Sequence, residues 1–192
     1  MPWLDLETRA LYTLLVAVVA GQRLLELVMS DRHRRALVAR GGVEHGAGHY
    51  PFMVLLHATF LPACVAEVWL LHRPLDLVVA VVAGAFLAGA MLLRFWTIDT
   101  LGERWCTRVI VVPGLEAVTS GPFRFVRHPN YLAVVVEMAA IPLVHGAWLT
   151  AVTYSAANAI VLAVRIRAEE RALADVPGYD VMRRRTRFLP GV

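Results

Sequence analysis

Long apolar stretches separated by short polar segments run through the chain. A helix needs about 20 apolar residues to cross the hydrocarbon core of a bilayer. Four stretches reach or approach this length: residues 11–29, 51–71, 75–96 and 147–164. A fifth, 132–144, is shorter and contains Glu137 and Pro142, but its tight connection through His145 and Gly146 to the next stretch favours a helical hairpin over a re-entrant segment. The pattern therefore predicts an all-α integral membrane protein with about five transmembrane helices, of which the last two form the hairpin.

The distribution of charge predicts how these helices are oriented. All 19 basic residues are arginines, and they are dense after the first, third and fifth stretches but sparse in the connections between them. The three clusters are Arg32, Arg34, Arg35 and Arg40; Arg104, Arg108, Arg124 and Arg127; and Arg165, Arg167, Arg171, Arg183, Arg184, Arg185 and Arg187. Since cytoplasmic loops are enriched in basic residues, we predict an external N-terminus and a cytoplasmic C-terminus. The dispersal of the arginines argues against nucleic-acid binding, which needs one continuous basic face.

Several charged residues fall inside or at the ends of the apolar stretches. Arg23 and Glu26 are three positions apart, so they can pair on one face of a helix. Arg94 is close to the end of its stretch, and we expect its side chain to extend to the membrane interface. Glu137 needs a partner, because an unpaired charge within a bilayer is costly.

The longest polar loop ends in the sequence GPFRFVRHPNY, residues 121–131. The residue before a proline is biased away from the helical conformation, so we expect Pro129 to hold His128 in an extended backbone at the start of the fourth helix. Asn130 is a suitable N-cap for that helix. A histidine beside an arginine at a membrane interface is equally compatible with an ordinary contact to lipid headgroups, so this motif alone leaves both interpretations open.

A second polar cluster, RIRAEE at residues 165–170, follows the last apolar stretch. Arg165 and Glu169 are four positions apart and share a helix face. Contact with headgroups explains the arginines, but it explains poorly two adjacent glutamates beside a negatively charged leaflet. Because the last two helices form a hairpin, both clusters are expected at one membrane face. We therefore divide the chain into N-terminal transmembrane helices, residues 1–97, and a region that carries the candidate chemistry, residues 98–192.

The residue types gathered at this face narrow the chemistry. They supply an imidazole, guanidinium groups, carboxylates and a phenol beside lipid. The sequence has no metal-ligand spacing, P-loop or Gly-x-Ser-x-Gly motif, and no glycine-rich turn of a soluble nucleotide-binding fold, so we expect no metal. Two interpretations remain: proton or ion handling, and transfer of a group to a lipid-borne acceptor.

At RHPNY and RIRAEE the sequence resembles the isoprenylcysteine carboxyl methyltransferase family, and the resemblance extends from about residue 102 to the closing RFLP at 187–190. It implies a membrane enzyme that transfers a methyl group from S-adenosylmethionine to a lipid acceptor, with its catalytic region on the cytoplasmic side. The resemblance also implies a cofactor pocket lined by Leu115, Glu116, Ala117, Val118, Phe123, His128, Pro129, Asn130 and Tyr131.

The resemblance assigns roles to the second cluster in pairs. Either Glu169 or Glu170 would face the cofactor, and either Arg165 or Arg167 would face the acceptor. We favour Glu169, because it shares a helix face with Arg165. If the acceptor is a hydroxyl group, His128 or one of the glutamates could serve as the base.

Residues 23–51 resemble a bacterial branch of the family that is associated with O-methylation of long-chain alkylresorcinols and alkylpyrones. The resemblance implies a location in the bacterial inner membrane and a lipid-like acceptor that enters from the bilayer. It favours a hydroxyl acceptor and leaves a prenylcysteine carboxylate as an alternative. The oligomeric state stays open.

Two rival classes were compared with this hypothesis. A small proton-coupled transporter or channel would place charges near the bilayer midplane between two repeated halves, whereas this chain has no internal repeat. A non-catalytic scaffold that binds anionic lipid would explain the arginines of the tail. It would leave RHPNY and the glutamate pair unexplained.

The alternating arginine clusters predict the topology directly. Reporter domains fused after Val192 and within residues 32–40 should both report a cytoplasmic location. An external location for either fusion would contradict the five-helix arrangement.

Overall fold

A computed structural model of the protein describes residues 2–188, so Leu189 and Pro190 of the predicted RFLP ending lie outside the described residues. The chain is mostly helical. Its α-helices are α1 (Pro2–Ala39), α2 (Tyr50–Leu70), α3 (Leu77–Leu101), α4 (Pro129–Leu143), α5 (Trp148–Ala172) and the short α6 (Tyr179–Arg183). Two three-residue strands, β1 (Val43–His45) and β2 (Val109–Val111), and short 3-10 turns at Ala47–His49, Gly102–Arg104 and Gly121–Arg124 complete the regular structure of this part of the chain.

Four of the predicted membrane helices are confirmed as helices that are long and apolar enough to cross a bilayer. Within residues 2–188 these segments are Asp5–Ala39, Ala47–Leu70, Leu77–Arg104 and Trp148–Ala172. The fifth, α4, is apolar but has only 15 residues. Helix α1 continues for ten residues beyond the predicted end of its apolar stretch at residue 29.

The packing of the helices leaves a large apolar surface outside. Helix α4 packs against α3 and α5, and α2 packs against α5. Cys64, Val68 and Met138 are among the residues of the core that they enclose. In contrast, the side chains of Leu70 and Val78 are 75% and 73% exposed. Soluble proteins rarely expose apolar patches of this extent, so this surface is suited to contact with lipid.

A short antiparallel sheet joins two loops at one end of the bundle, and this sheet was not predicted. Strand β1 follows α1 and pairs with β2 of the long loop, with Glu44 opposite Ile110. The contact is close, since a Cβ added to Gly42 would lie 2.8 Å from the side chain of Ile110. An ion pair of 2.5 Å between Arg108 and Glu44 holds the two strands together. The sheet thus anchors the α1–α2 connection to the loop that contains RHPNY.

A four-residue ion network connects α1, α3 and α4 inside the bundle. Arg94 lies 2.5 Å from Glu26 and 3.8 Å from Glu137, while Arg23 lies 2.8 Å from Glu26 and 2.9 Å from Glu137. The expected pairing of Arg23 with Glu26 is confirmed, and Glu137 is paired. The expectation for Arg94 was wrong: only 7% of it is exposed, because the two carboxylates hold its guanidinium inside the bundle.

This network gives a stability prediction. In Glu26→Gln, the buried Arg94 and the neighbouring Arg23 would lose their shared carboxylate. Removing one partner of a buried ion pair costs about 3–5 kcal/mol, so we expect a clear loss of thermal stability of the purified protein in detergent. Asp31→Asn on the same helix is the matched control, because Asp31 makes its ion pairs with Arg34 and Arg35 on the surface. Equal losses in both variants would contradict a special role for the network.

Candidate active site

A pocket lies at the end of the bundle that carries the sheet. Its walls are the loop between α3 and α4, the first turn of α4, the last turns of α5 and the segment around α6. Its volume is about 200 Å³, below the range of about 300–1,000 Å³ that is typical of ligand pockets. A nucleoside-sized ligand would therefore fill the pocket and extend past its mouth.

Proline at the start of α4 determines how the RHPNY motif enters the pocket. Pro129 is the first residue of the helix, where its missing N–H costs nothing, and His128 precedes it with a non-helical backbone, at φ −126° and ψ 63°. The assignment of Asn130 as N-cap was therefore wrong. Asn130 already belongs to the first turn, because the helix begins two residues earlier than expected. This shift turns the Asn130 side chain to the pocket.

Tyr131, Arg165 and Glu169 form a chain of hydrogen bonds across the pocket wall. The Tyr131 hydroxyl donates to the carboxylate of Glu169, and it accepts a bond of 2.8 Å from Nε of Arg165. Nη2 of Arg165 donates to the backbone oxygen of Thr107 at 2.7 Å. Both Tyr131 and Arg165 are buried. The phenol therefore links a buried cation to a carboxylate at the edge of the same pocket.

Glu170 faces away from the pocket and holds the C-terminal segment in place. Its carboxylate accepts hydrogen bonds from Arg127 at 2.8 Å, from Arg187 at 2.9 and 2.7 Å and from His128 at 3.2 Å. The charge of Glu170 raises the pKa of the Arg187 guanidinium. Glu170 is thus saturated with donors and is poorly suited to bind a ligand.

Arg127 also binds the C-terminal segment, residues 182–187. Besides Glu170, its guanidinium bonds to the backbone oxygens of Met182, Arg183 and Arg185. Backbone bonds run from Arg127 to the oxygen of Thr186 and from His128 to that of Arg187. These contacts place α6 beneath the long loop.

Most of the residues suggested by the family resemblance line the pocket, but two of them do not. The pocket lining contains Leu115, Glu116, Ala117, Val118, Phe123, His128, Pro129, Asn130, Tyr131, Arg165 and Glu169. Arg167 and Glu170 do not line the pocket. Arg167 is exposed. Of the two pairs left open by the sequence, Arg165 and Glu169 are therefore the members that line the pocket.

Sequence reasoning missed part of the lining. Tyr179 and Met182 of α6 enter the pocket, as do Trp105, Arg104 and Arg108 of the long loop. The sequence gives little sign of the first two, since they lie in an arginine-rich tail. The turn at Pro177-Gly178 that precedes α6 is the one available signal, because Gly178 adopts φ 79° and redirects the chain.

Two buried polar atoms of the pocket lining have no hydrogen-bond partner among the described residues. They are Oδ1 of Asn130 and the hydroxyl of Tyr179. Tyr179 is 1% exposed, and burial together with the charge of Glu170 raises the pKa of its phenol, which keeps the hydroxyl protonated. Buried polar groups are nearly always satisfied in native proteins. A ligand with both hydrogen-bond donors and acceptors could bond to Oδ1 of Asn130 and to the hydroxyl of Tyr179.

Taken together, these features define a helical protein suited to a membrane, with a polar pocket at one end of its bundle. The chain belongs to the isoprenylcysteine carboxyl methyltransferase family, whose sequence profile matches residues 81–175. It is 34% identical over 165 residues to the uncharacterized protein YpbQ of Bacillus subtilis, covering 86% of this chain and 98% of that protein. It is also 29% identical over 159 residues to an uncharacterized protein of Haemophilus influenzae, covering 82% and 92%. The family is one of membrane methyltransferases.

The different surroundings of the two glutamates predict different consequences of mutation. Glu170→Gln should weaken the contacts to Arg127 and Arg187, lower the thermal stability and increase tryptic cleavage within residues 183–187. Glu169→Gln is the matched control, since its main partner is the Tyr131 hydroxyl. Identical protease sensitivity of the two variants would contradict the structural role of Glu170.

Proposed function

We propose that the protein is an S-adenosylmethionine-dependent O-methyltransferase that acts on a lipophilic acceptor. The preferred acceptor group is a phenolic or enolic hydroxyl, such as that of an alkylresorcinol or alkylpyrone. A prenylcysteine carboxylate is the less favoured acceptor. The observation that carries the proposal is the pocket that gathers RHPNY, the loop before it and the face of α5 that bears Arg165 and Glu169. Membership of a methyltransferase family supports the reaction type.

The pocket fits the proposed cofactor in its donor set. When bound, S-adenosylmethionine supplies a methyl group activated by a sulfonium. Oδ1 of Asn130 and the hydroxyl of Tyr179 are free to bond to polar atoms of an adenosyl group. The side chains of Leu115, Val118 and Phe123 provide apolar contacts.

The charge of the reaction centre favours a neutral acceptor. Arg165 is linked through Tyr131 to Glu169, so the cation of the site is already balanced by a carboxylate. A second carboxylate, from a prenylcysteine, would be repelled by Glu169. A hydroxyl group enters without this cost, and Arg165 can stabilise the negative charge that develops on its oxygen. Catalysis then consists mainly of aligning donor and acceptor.

The ion network of α1, α3 and α4 is the feature that best fits the rival transporter. In that network Arg23 and Arg94 are balanced by Glu26 and Glu137. Each charge has a partner of opposite sign, which is the arrangement expected of a structural cluster. We therefore retain the transporter only as the second candidate and propose that the reaction takes place in the pocket. We also propose that the protein lies in the bacterial inner membrane with the pocket facing the cytoplasm.

The purified protein in detergent, incubated with labelled S-adenosylmethionine, should methylate a long-chain alkylresorcinol faster than a farnesylcysteine analogue. A phenol has a pKa of about 10, so its methylation requires removal of a proton. The rate should therefore rise with pH toward the pKa of the acceptor or of its base. Faster turnover of the farnesylcysteine analogue, with a flat profile above neutrality, would contradict the hydroxyl preference.

A pair of variants separates the pocket from the rest of the bundle in this assay. Glu169→Gln should lose most of the turnover at unchanged thermal stability, whereas Arg167→Gln should retain it, because Arg167 is exposed and does not line the pocket. Loss of activity in Arg167→Gln with normal activity in Glu169→Gln would show that the acceptor binds elsewhere.

A further inference from the structure

The bases suggested by the sequence are largely occupied in the folded protein. Nε2 of His128 bonds to Glu170, and its Nδ1 lies 3.7 Å from Glu169. Glu170 receives donors from His128, Arg127 and Arg187. Glu169 accepts the hydroxyl proton of Tyr131. At Glu169 a hydroxyl acceptor would share the carboxylate with the Tyr131 hydroxyl.

An imidazole with a free nitrogen lies near this end of α5, outside the residues that line the pocket. Nε2 of His49 is buried and has no hydrogen-bond partner among the described residues. His49 ends a short 3-10 turn, Ala47–His49, that packs against α5.

The loop before His49 is shaped to receive its ring. Gly46 has φ +67°, and a Cβ added there would lie 2.6 Å from Cε1 and 3.1 Å from Nδ1 of His49, and 3.0 Å from Cβ of Ala168. No side chain larger than hydrogen fits at this position without moving the imidazole. Ala168 is three residues from Arg165 and adjacent to Glu169, so the turn lies against the part of α5 that supplies the reaction centre.

A second contact ties the same turn to the reaction centre. The hydroxyl of Tyr50, the next residue, lies 3.2 Å from Oγ1 of Thr107. The backbone oxygen of Thr107 accepts the hydrogen bond from Arg165. His49 and Arg165 are thus held to the same short segment, one through its neighbour Tyr50 and the other directly. Arg165 donates through Nε and Nη2, and no partner of its Nη1 is present within residues 2–188.

We propose that His49 is the general base of the methyl transfer, a role that rests on the proposed function with a hydroxyl acceptor. Nε2 accepts the proton as the acceptor oxygen forms its bond to the methyl carbon and the bond from that carbon to the sulfonium breaks. The products are the methyl ether, S-adenosylhomocysteine and a protonated His49, which returns the proton to solvent. Nη1 of Arg165 stabilises the charge on the oxygen.

The decisive test is chemical rescue. In His49→Ala, turnover of an alkylresorcinol should fall about 100-fold or more, the typical contribution of a general base. Added imidazole should restore part of this turnover, and the remaining activity should rise with pH toward the pKa of the phenol itself. Binding of S-adenosylmethionine, measured by calorimetry, should be unchanged. His57→Ala is the matched control, since His57 is an exposed histidine of the same helix region that bonds to Met53; it should keep full activity and show no response to imidazole.

The outcomes separate this proposal from the one on which it rests. If the wild-type protein methylates alkylresorcinol and His49→Ala keeps its rate and pH profile, or loses its rate without rescue by imidazole, His49 is not the base while the proposed function stands. If the wild-type protein binds S-adenosylmethionine but methylates no hydroxyl acceptor, the hydroxyl preference fails and the role of His49 fails with it. Gly46→Ala, which displaces the ring without removing it, should reduce turnover in the same direction as His49→Ala.

Discussion

The cost of leaving a charged group unpaired inside an apolar bundle governs the arrangement of this protein. Helices that expose apolar side chains over most of their surface nevertheless bring Arg94, Arg165, Glu26 and Glu137 inside. Each of these groups has lost its hydration, which costs several kcal/mol for an isolated ion. Each is compensated by a partner on another helix or loop. The bonds that satisfy the charges therefore also determine which helices lie together.

The same constraint separates the protein into two polar layers. In the inner layer, Arg94 and Glu137 join α3 to α4 within a network whose positive and negative charges balance. In the outer layer, Arg165 reaches Glu169 only through the hydroxyl of Tyr131, and several polar atoms remain without partners. Unsatisfied polar atoms that line a pocket mark a place where a ligand can complete the hydrogen bonding. The outer layer is the candidate site because its unsatisfied atoms line a pocket, whereas Oε1 of Glu137 in the inner layer does not.

The tail after α5 shows how structural and chemical roles are divided between adjacent residues. Glu169 and Glu170 point about 100° apart on the helix, so one reaches the pocket and the other reaches Arg127 and Arg187. Glu170 holds the tail from which Tyr179 enters the pocket. The pocket is therefore formed by residues that are distant in sequence, and ion pairs outside its lining hold the tail in place.

The sequence predicted those features of the structure that depend on interactions between residues close together in the chain. Apolar length and the positions of Pro129 and Gly146 are local properties, and they were sufficient for the membrane helices, the hairpin and the entry of RHPNY into α4. The helical period placed Arg165 and Glu169 on one face for the same reason. Even so, the local preference of Asn130 for an N-cap was overridden, because Pro129 already begins the helix.

Other features depended on contacts between segments that are remote in the chain. The position of Arg94 could not be derived from its own helix, since its partners belong to α1 and α4. The β1–β2 sheet, the position of Tyr179 and the placement of His49 beside α5 likewise come from pairing between distant loops. The sequence by itself therefore determined the helices, the membrane class and the family motifs, which depend on short-range periodicity and composition. Only the tertiary structure decided which buried charges pair and which polar atoms remain free, because those outcomes depend on which helices and loops become neighbours.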